Sequence, residues 1–354
     1  MGEKVLMKGN EAIGEAAIRS GCRHFFGYPI TPQTELSAYM AKKMPKIGGV
    51  FLQAESEVAA INMVYGAAGA GARAMTSSSS PGISLKSEGI SYIAGADLPC
   101  VIVDIVRGGP GLGGIQPAQS DYFQATKGGG HGDYHLLVFA PNSVQEIVSL
   151  VADAFNKSDE YRVPAMILGD GTLGQMMEPV DFDSVPEACP AQKDWATTGT
   201  KLKREHNIIN SLYLSPEELE KTIIERQKRY DIIKEKEQRY EAHDIEDADI
   251  IVTAYGTTSR VVESAVKTVR AEGLKVGVIR PITLWPFPEK IFSKAADTAK
   301  AFLSVEMSMG QMVEDVKLAV NGKADVHFFG RTGGIIPTPQ EIAEEIRKIA
   351  GGLR

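Results

Sequence analysis

Gln53-Ala-Glu-Ser-Glu57-Val-Ala-Ala-Ile-Asn-Met-Val-Tyr-Gly66 is followed, shortly after Gly71-Ala-Arg73, by Ala74-Met-Thr-Ser-Ser-Ser-Ser80-Pro81-Gly82. The apolar stretches 48–54 and 74–78 that flank it read as buried strands. Between them, 56–71 reads as a helix rich in Ala and Gly that can pack closely on a sheet. Two carboxylates, Glu55 and Glu57, stand at its mouth. Burying a carboxylate costs several kcal/mol unless something compensates, so one of the two needs a reason.

Working outward, strand and helix patterns alternate over residues 1–185. Asn10 is placed as a helix cap, with Gly21 ending that helix. His24 to Tyr28 is a short aromatic strand, and Thr31 is expected to cap the next helix with Pro32 in its first turn. Further strands fall at 100–106, 136–140 and 165–168. This alternation specifies a doubly wound α/β domain, whose ligands bind beyond the carboxyl ends of the strands. From 186 to 248 the alternation stops and charge density rises. Ser215-Pro216-Glu217-Glu218 reads as a capping box, followed by a helix with Leu219, Ile223, Tyr230, Ile233 and Tyr240 on one stripe. That region is taken as a charged helical linker lying on a domain surface. Strand patterns at 250–255, 276–279, 302–305 and 326–329 form a second α/β unit, 249–354.

Composition narrows the function. The chain has 354 residues, is 43% hydrophobic and 23% charged, and carries a net charge of −7. Those values suit an ordinary soluble protein and offer no basic surface for nucleic acid or anionic membrane. Three dispersed cysteines, Cys22, Cys100 and Cys189, cannot supply an iron–sulfur cluster or a zinc site, and they suit a reducing cytoplasm. Neither a signal peptide nor a membrane-spanning run is present in the sequence. Gly108-Gly-Pro-Gly-Leu-Gly-Gly114 lacks the Gly-Lys-Ser/Thr ending of a phosphate loop and is taken as a flexible loop. The absence of a dinucleotide fingerprint sets a nicotinamide dehydrogenase aside. His131 is read as a loop histidine, and Asp170 in Gly169-Asp-Gly171 as a turn residue at a strand end.

Gly27-Tyr28-Pro29-Ile30-Thr31-Pro32 resembles the signature of 2-oxoacid:ferredoxin oxidoreductases. The Glu57 helix with its Ser/Pro/Gly turn resembles the pyrimidine-binding domain of thiamine diphosphate enzymes. The resemblance covers nearly the whole chain. It implies two doubly wound domains: a pyrimidine-binding type over 1–185 and, after the linker, a transketolase carboxyl-terminal-like type over 249–354. In the latter, Ile279-Arg-Pro281 and Val305-Glu-Met-Ser-Met-Gly-Gln-Met312 match family stretches.

The implied roles follow residue by residue. Glu57 is the catalytic carboxyl that hydrogen-bonds the aminopyrimidine, with Glu55 the local competitor. That role wants a protonated carboxyl, so burial that raises its pKa is useful. Tyr28, Thr31 and Arg107 bind the 2-oxo acid, the arginine pairing its fork with the carboxylate. Pro29, Ile30, Ser78, Ser79, Ser80 and Pro81 line the cofactor, and no metal ligand is assigned to this chain. Gly169-Asp-Gly171 is not completed by Asn-Asn. The diphosphate–magnesium half of the site is therefore expected on a beta subunit, the clusters on a small ferredoxin-like subunit, and a gamma subunit beside them. The isolated chain is expected to hold thiamine diphosphate only weakly.

Gln53-Ala-Glu-Ser-Glu, Ser77-Ser-Ser-Ser-Pro-Gly, Gly109-Pro-Gly-Leu-Gly-Gly-Ile-Gln116 and Thr126-Lys-Gly-Gly-Gly-His131 look closest to the alpha subunit of the branched-chain, 2-oxoisovalerate type. The implied reaction is CoA-dependent oxidative decarboxylation of the 2-oxo acid to acyl-CoA and CO2, with reduction of ferredoxin. The alternatives are a 2-oxoglutarate enzyme, for which Lys127 could meet the second carboxylate, and a non-catalytic assembly subunit that keeps only the fold.

Overall fold

The computed structural model describes residues 4–353. The first half runs β1 (Val5–Lys8), α1 (Gly9–Arg19), β2 (His24–Gly27), α2 (Thr34–Lys43), β3 (Val50–Gln53), α3 (Glu57–Gly69), β4 (Ala74–Ser78), α4 (Ser80–Gly95), β5 (Val101–Val106), α5 (Tyr122–Thr126), β6 (Leu137–Phe139), α6 (Val144–Tyr161), β7 (Ala165–Asp170), α7 (Gly171–Gln175) and β8 (Met177–Val180). The second runs α8 (Pro216–Lys236), β9 (Tyr240–His243), β10 (Ile250–Thr253), α9 (Gly256–Ala271), β11 (Val276–Pro281), β12 (Thr283–Trp285), α10 (Glu289–Ala295), β13 (Ala301–Glu306), α11 (Met312–Val320), β14 (Asp325–Gly330) and α12 (Pro339–Gly352).

Two large sheets result, ordered β12-β6-β7-β5-β4-β2-β3 and β14-β13-β10-β11-β9, with β1 and β8 forming a separate antiparallel ribbon. Strands β4, β5 and β7 are buried along their whole length, as expected of parallel strands covered on both faces, although β4 carries Thr76, Ser77 and Ser78 and β5 and β7 carry Asp104 and Asp170. From β2 the chain first moves outward to β3, then returns across β2 to β4 on its other side. That reversal opens a crevice at the carboxyl ends of β2 and β4. The β2–β4 ladder holds only His24↔Ala74 and Phe25↔Met75. Beyond it the buried Gln33 carboxamide fills the gap, accepting from Ser77 Oγ at 2.6 Å and donating to the Tyr28 carbonyl at 3.4 Å.

The two sheets share elements across the predicted segments. β9, from the stretch read as linker, pairs antiparallel with β11, and β12 pairs antiparallel with β6. Gln119 locks the carboxyl ends together: its side chain donates to Tyr255 O at 2.9 Å and accepts from Thr258 Oγ1 at 2.9 Å and Met307 N at 3.0 Å. The buried Arg280 on β11 donates to both Glu146 oxygens, at 2.9 and 2.7 Å, and to Glu241 at 2.9 Å. Helix α8 lies against the first unit through Arg226, which donates to Asp97 at 3.0 Å and to Gly95 O at 2.9 Å.

Several local expectations are corrected. Asn10 lies inside α1 rather than capping it; its buried amide donates to Pro32 O at 2.8 Å and Glu35 at 3.1 Å. Thr31 caps nothing, since α2 starts at Thr34 after Gln33. Ser215 accepts from Glu218 N at 3.3 Å but lacks the reciprocal bond of a capping box; Thr338 and Glu341 form that box on α12. Tyr240 leaves the helical stripe for β9, because α8 ends at Lys236.

Candidate active site

Ser56 adopts an extended backbone and its side chain accepts from Ala59 N at 3.2 Å. That cap makes Glu57 the first residue of α3, where the helix dipole favours a negative charge. Glu57 is 6% exposed, whereas Glu55 is exposed and stands outside the helix. The neighbouring α4 approaches through Gly82. A Cβ there would lie 2.0 Å from Ser78 Oγ and 2.7 Å from Glu57 Oε1. Only glycine leaves room for the carboxyl between the two helices.

One turn further along α4, Lys86 is fully buried and donates to Ser77 O at 2.9 Å. Burial pushes its ammonium down to about 8, opposed by the charges of Glu57 and Asp104. Asp104 on β5 accepts from Ser80 N at 3.2 Å. Burial raises both Asp104 and the neighbouring Asp121 above the usual carboxylate range, and the charge of Asp121 raises Asp104 further. Lys86, Asp104, Asp121 and Gln33 were not singled out from sequence. The available signal was polarity out of place: a lysine in Ile83-Ser-Leu-Lys86 and an aspartate inside Val101-Ile-Val-Asp-Ile-Val106.

Ser78 and Ser79 are wholly buried, with hydroxyls that lack any partner. Ser80 Oγ accepts from Arg107 N at 3.1 Å and donates to Arg107 O at 3.2 Å, fastening α4 to the end of β5. Pro81 occupies the first turn of α4, where its missing N–H costs nothing. Arg107, 7% exposed, donates from Nη1 to Thr31 O at 3.0 Å and from Nη2 to Leu112 O at 3.4 Å. Its Nε has no partner, so part of the guanidinium fork remains unspent. Arginine thereby ties the 28–32 turn, with Tyr28, Pro29 and Thr31 exposed and Ile30 half-buried, to the glycine loop.

That loop is more ordered than its composition suggests. Gly108 N donates to Gln116 O at 3.0 Å and Gly114 N to Gly108 O at 2.9 Å. A Cβ at Gly113 (φ +56°) would lie 1.9 Å from Gly108 O. Leu112 is 85% exposed at the tip.

The other sequence candidates lie elsewhere. Asp170 caps α7, accepting from Thr172 N at 2.8 Å and Leu173 N at 3.0 Å. His131 is an exposed loop residue. Lys127 pairs with Asp315, whose other oxygen accepts from Tyr122 at 2.5 Å, so its charge is committed to joining α5 and α11. The family-like stretch at 305–312 is a cap: the buried Glu306 accepts from the backbone N–H of Gln311, Met312 and Val313 at 2.9–3.0 Å. A cleft of about 610 Å³ lies beneath α8, bordered by Asp97, Glu218, Arg226 and Arg229, away from the crevice.

A buried glutamate at a helix start, a glycine cradle against it and an arginine fork converge on one switch point of a parallel sheet. This arrangement defines an α/β enzyme subunit whose chemistry sits at the carboxyl ends of its strands. The pyruvate flavodoxin/ferredoxin oxidoreductase thiamine diphosphate-binding model matches residues 15–248, and the pyruvate:ferredoxin oxidoreductase core domain II model matches 248–342. The chain belongs to this family, the 2-oxoacid:ferredoxin oxidoreductases, and is a subunit of an oxidoreductase.

The chain is 50% identical to the ketoisovalerate oxidoreductase subunit VorB of Methanothermobacter marburgensis over 346 residues, covering 98% of each. It is 37% identical to the 2-oxoglutarate synthase subunit KorA of the same organism over 379 residues, 98% of this chain and 99% of the relative. Among solved structures, the 2-oxoglutarate:ferredoxin oxidoreductase of Magnetococcus marinus superposes with a TM-score of 0.89 at 29% identity. That match covers 98% of this chain and 65% of the other. A split-gene transketolase matches with a TM-score of 0.59 at 14% identity, which speaks to fold alone.

Proposed function

We propose that this chain is the alpha subunit of a 2-oxoisovalerate:ferredoxin oxidoreductase, which converts branched-chain 2-oxo acids and CoA to acyl-CoA and CO2 while reducing ferredoxin. The observation that carries the reading is the buried Glu57 carboxyl, held at the start of α3 against Gly82. The higher identity to a ketoisovalerate subunit than to a 2-oxoglutarate one favours the branched-chain substrate. Lys127 adds support, because its pairing with Asp315 removes the cation that a second substrate carboxylate would need.

Thiamine diphosphate suits the residues present. Gly82 packs closely enough on Glu57 to hold its carboxyl at the start of α3, and Ser78 and Ser79 offer partnerless hydroxyls. When bound, the cofactor supplies the thiazolium that stabilises a carbanion after decarboxylation. Glu57 would hold the proton that its carboxyl oxygen shares with the pyrimidine ring, and Ser78 to Pro81, with Pro29 and Ile30, would line the cofactor. The unspent Arg107 N–H groups and Thr31 orient the 2-oxo acid carboxylate, with Tyr28 at the rim.

The partners are a beta subunit carrying the diphosphate motif and Mg2+, a gamma subunit, and a small ferredoxin-like subunit carrying the clusters, all in the cytoplasm. No described helix is long and apolar enough to cross a membrane.

Reconstitution of the complex with Glu57→Ala tests the site: substrate-dependent ferredoxin reduction should be lost, and undiminished reduction refutes the assignment. Turnover compared across 2-oxoisovalerate, 2-oxoglutarate and pyruvate tests the substrate, with the first expected to lead. A complex that assembles around this chain but turns over none of them, with intact partners, would instead support the assembly-subunit reading.

A further inference from the structure

Lys86 is fully buried on α4, on the face it shares with Gly82 and Gly89, where added Cβ atoms would meet Glu57 and Ile61 of α3. A lysine there carries a large desolvation cost, and an apolar side chain would fill the same space without it. Its hydrogen bonding does not explain its presence either. A single bond, to Ser77 O at 2.9 Å, uses one of three N–H groups. What the position does provide is charge. The groups that face it are Glu57 from α3, Asp104 from β5 and, behind Asp104, Asp121 from the segment before α5. Burial raises the proton affinity of Asp104 and Asp121, and Glu57 adds a third carboxyl near this one buried cation.

We propose that Lys86 is a positioning residue for Glu57, its buried charge favouring the ionised carboxyl and so the transfer of the Glu57 proton to the pyrimidine nitrogen. The inference rests on the reading that Glu57 faces the pyrimidine. Its physical content is a sign. A cation beside Glu57 stabilises the state in which the carboxyl is negative and the ring nitrogen carries the proton. Neutralising the cation shifts that balance back toward the protonated carboxyl. Gly82 and Lys86 then act together from one face of α4, the glycine giving the carboxyl room and the lysine setting its charge.

The test uses the assembled complex with thiamine diphosphate bound and follows the near-ultraviolet circular-dichroism band of the cofactor's imino tautomer against pH. Forming that tautomer releases one proton and leaves the site more negative, so removal of a nearby cation must raise the midpoint. Lys86→Gln keeps a donor for Ser77 O without the charge, and Lys86→Met keeps neither. Both are expected to raise the midpoint by about one pH unit, a tenfold change in the equilibrium. An unmoved midpoint in Lys86→Gln overturns the proposal and leaves Lys86 a structural donor.

Glu57→Ala, measured alongside, separates the two ideas. Loss of the tautomer band there with no shift in the Lys86 variants refutes only the role of Lys86. Retention of the band in Glu57→Ala refutes the reading of the site and the proposal with it. If the neutral Lys86 variants do not assemble, the double variant Asp104→Asn/Asp121→Asn decides: removing the negative charge of the pair is expected to lower the midpoint, and an unmoved or raised one overturns the proposal.

Discussion

Gly82→Ala isolates the geometry on which the site depends. In the structure the added methyl carbon would lie 2.0 Å from Ser78 Oγ, 2.7 Å from Glu57 Oε1 and 3.1 Å from Glu57 Cγ. Restoring ordinary contact at 3.4 Å moves the serine hydroxyl by about 1.4 Å and the carboxylate oxygen by about 0.7 Å. The hydroxyl has no partner and swings at small cost. The carboxylate cannot turn away alone, because Cγ is crowded too, so the whole Glu57 side chain tilts. Replacing a helical glycine by alanine returns about 1 kcal/mol, set against about 1–3 kcal/mol of overpacking, so folding stability changes little. Activity should not be spared, since a displacement approaching 1 Å at a reacting group costs about 100-fold.

The assay is ferredoxin reduction by the reconstituted complex, paired with thermal melting of the same preparation. Gly89→Ala is the control. Its Cβ would lie 2.5 Å from Ile61 Cγ2 and 2.9 Å from Ile61 Cγ1, in the same α3–α4 contact but against a stiff branched side chain. It should lose stability and keep its turnover per folded complex. If Gly82→Ala keeps wild-type turnover, or loses it only in step with folding as Gly89→Ala does, the argument for a carboxyl held in place by Gly82 is wrong.

Three further outcomes follow from the packing. Arg280→Met strands Glu146 and Glu241 at the joint between the sheets; because both carboxylates keep some solvent, the loss should be about 2 kcal/mol, read as a lowered Tm. Gln119→Leu leaves the buried Met307 N–H and Thr258 hydroxyl without their acceptor, which should cost about 2–3 kcal/mol and split calorimetric melting into two transitions; a single unshifted transition contradicts its role as a clamp. Lys86 gives a pH signature. Its folded-state value, about 8, lies below the 10.5 of an exposed lysine, so between those values the unfolded chain binds more protons and stability rises with pH. The difference in stability between wild type and Lys86→Met should therefore shift in favour of wild type by up to about 3 kcal/mol from pH 8 to 10.5, and a flat difference contradicts the burial of this charge.

How much of this was legible in the sequence depends on the range over which each signal acts. The strands β5 and β7 were readable because a largely apolar run reports burial on both faces locally, and β4 because its small residues follow the same pattern without alternation. Glu57 could be preferred over Glu55 because a cap, a small-residue helix and a Ser-Pro-Gly turn lie within a few tens of residues. Capping by Asn10 and Thr31 was misread for the same local reason: both have cap chemistry, but the Asn10 amide is claimed by Pro32 and Glu35, distant in sequence, and α2 starts beyond Thr31, at Thr34.

Gln33, Lys86 and Gln119 were invisible because their roles exist only after chain reversal. Gln33 matters because the β2–β4 ladder stops after two pairs; Gln119 matters because a second sheet meets the first end to end. The buried charges deepen the point. A lysine in a helix and an aspartate in a strand each look like minor exceptions to an apolar pattern, and apart each would be a liability. Folding brings Lys86, Asp104 and Asp121 into one low-dielectric space beside Glu57, where burial lowers the proton affinity of the lysine and raises that of both aspartates. The carboxyl at the start of α3 thus sits in the field of residues up to 64 positions away in sequence, and the role proposed for Lys86 is to act on its chemistry through that field.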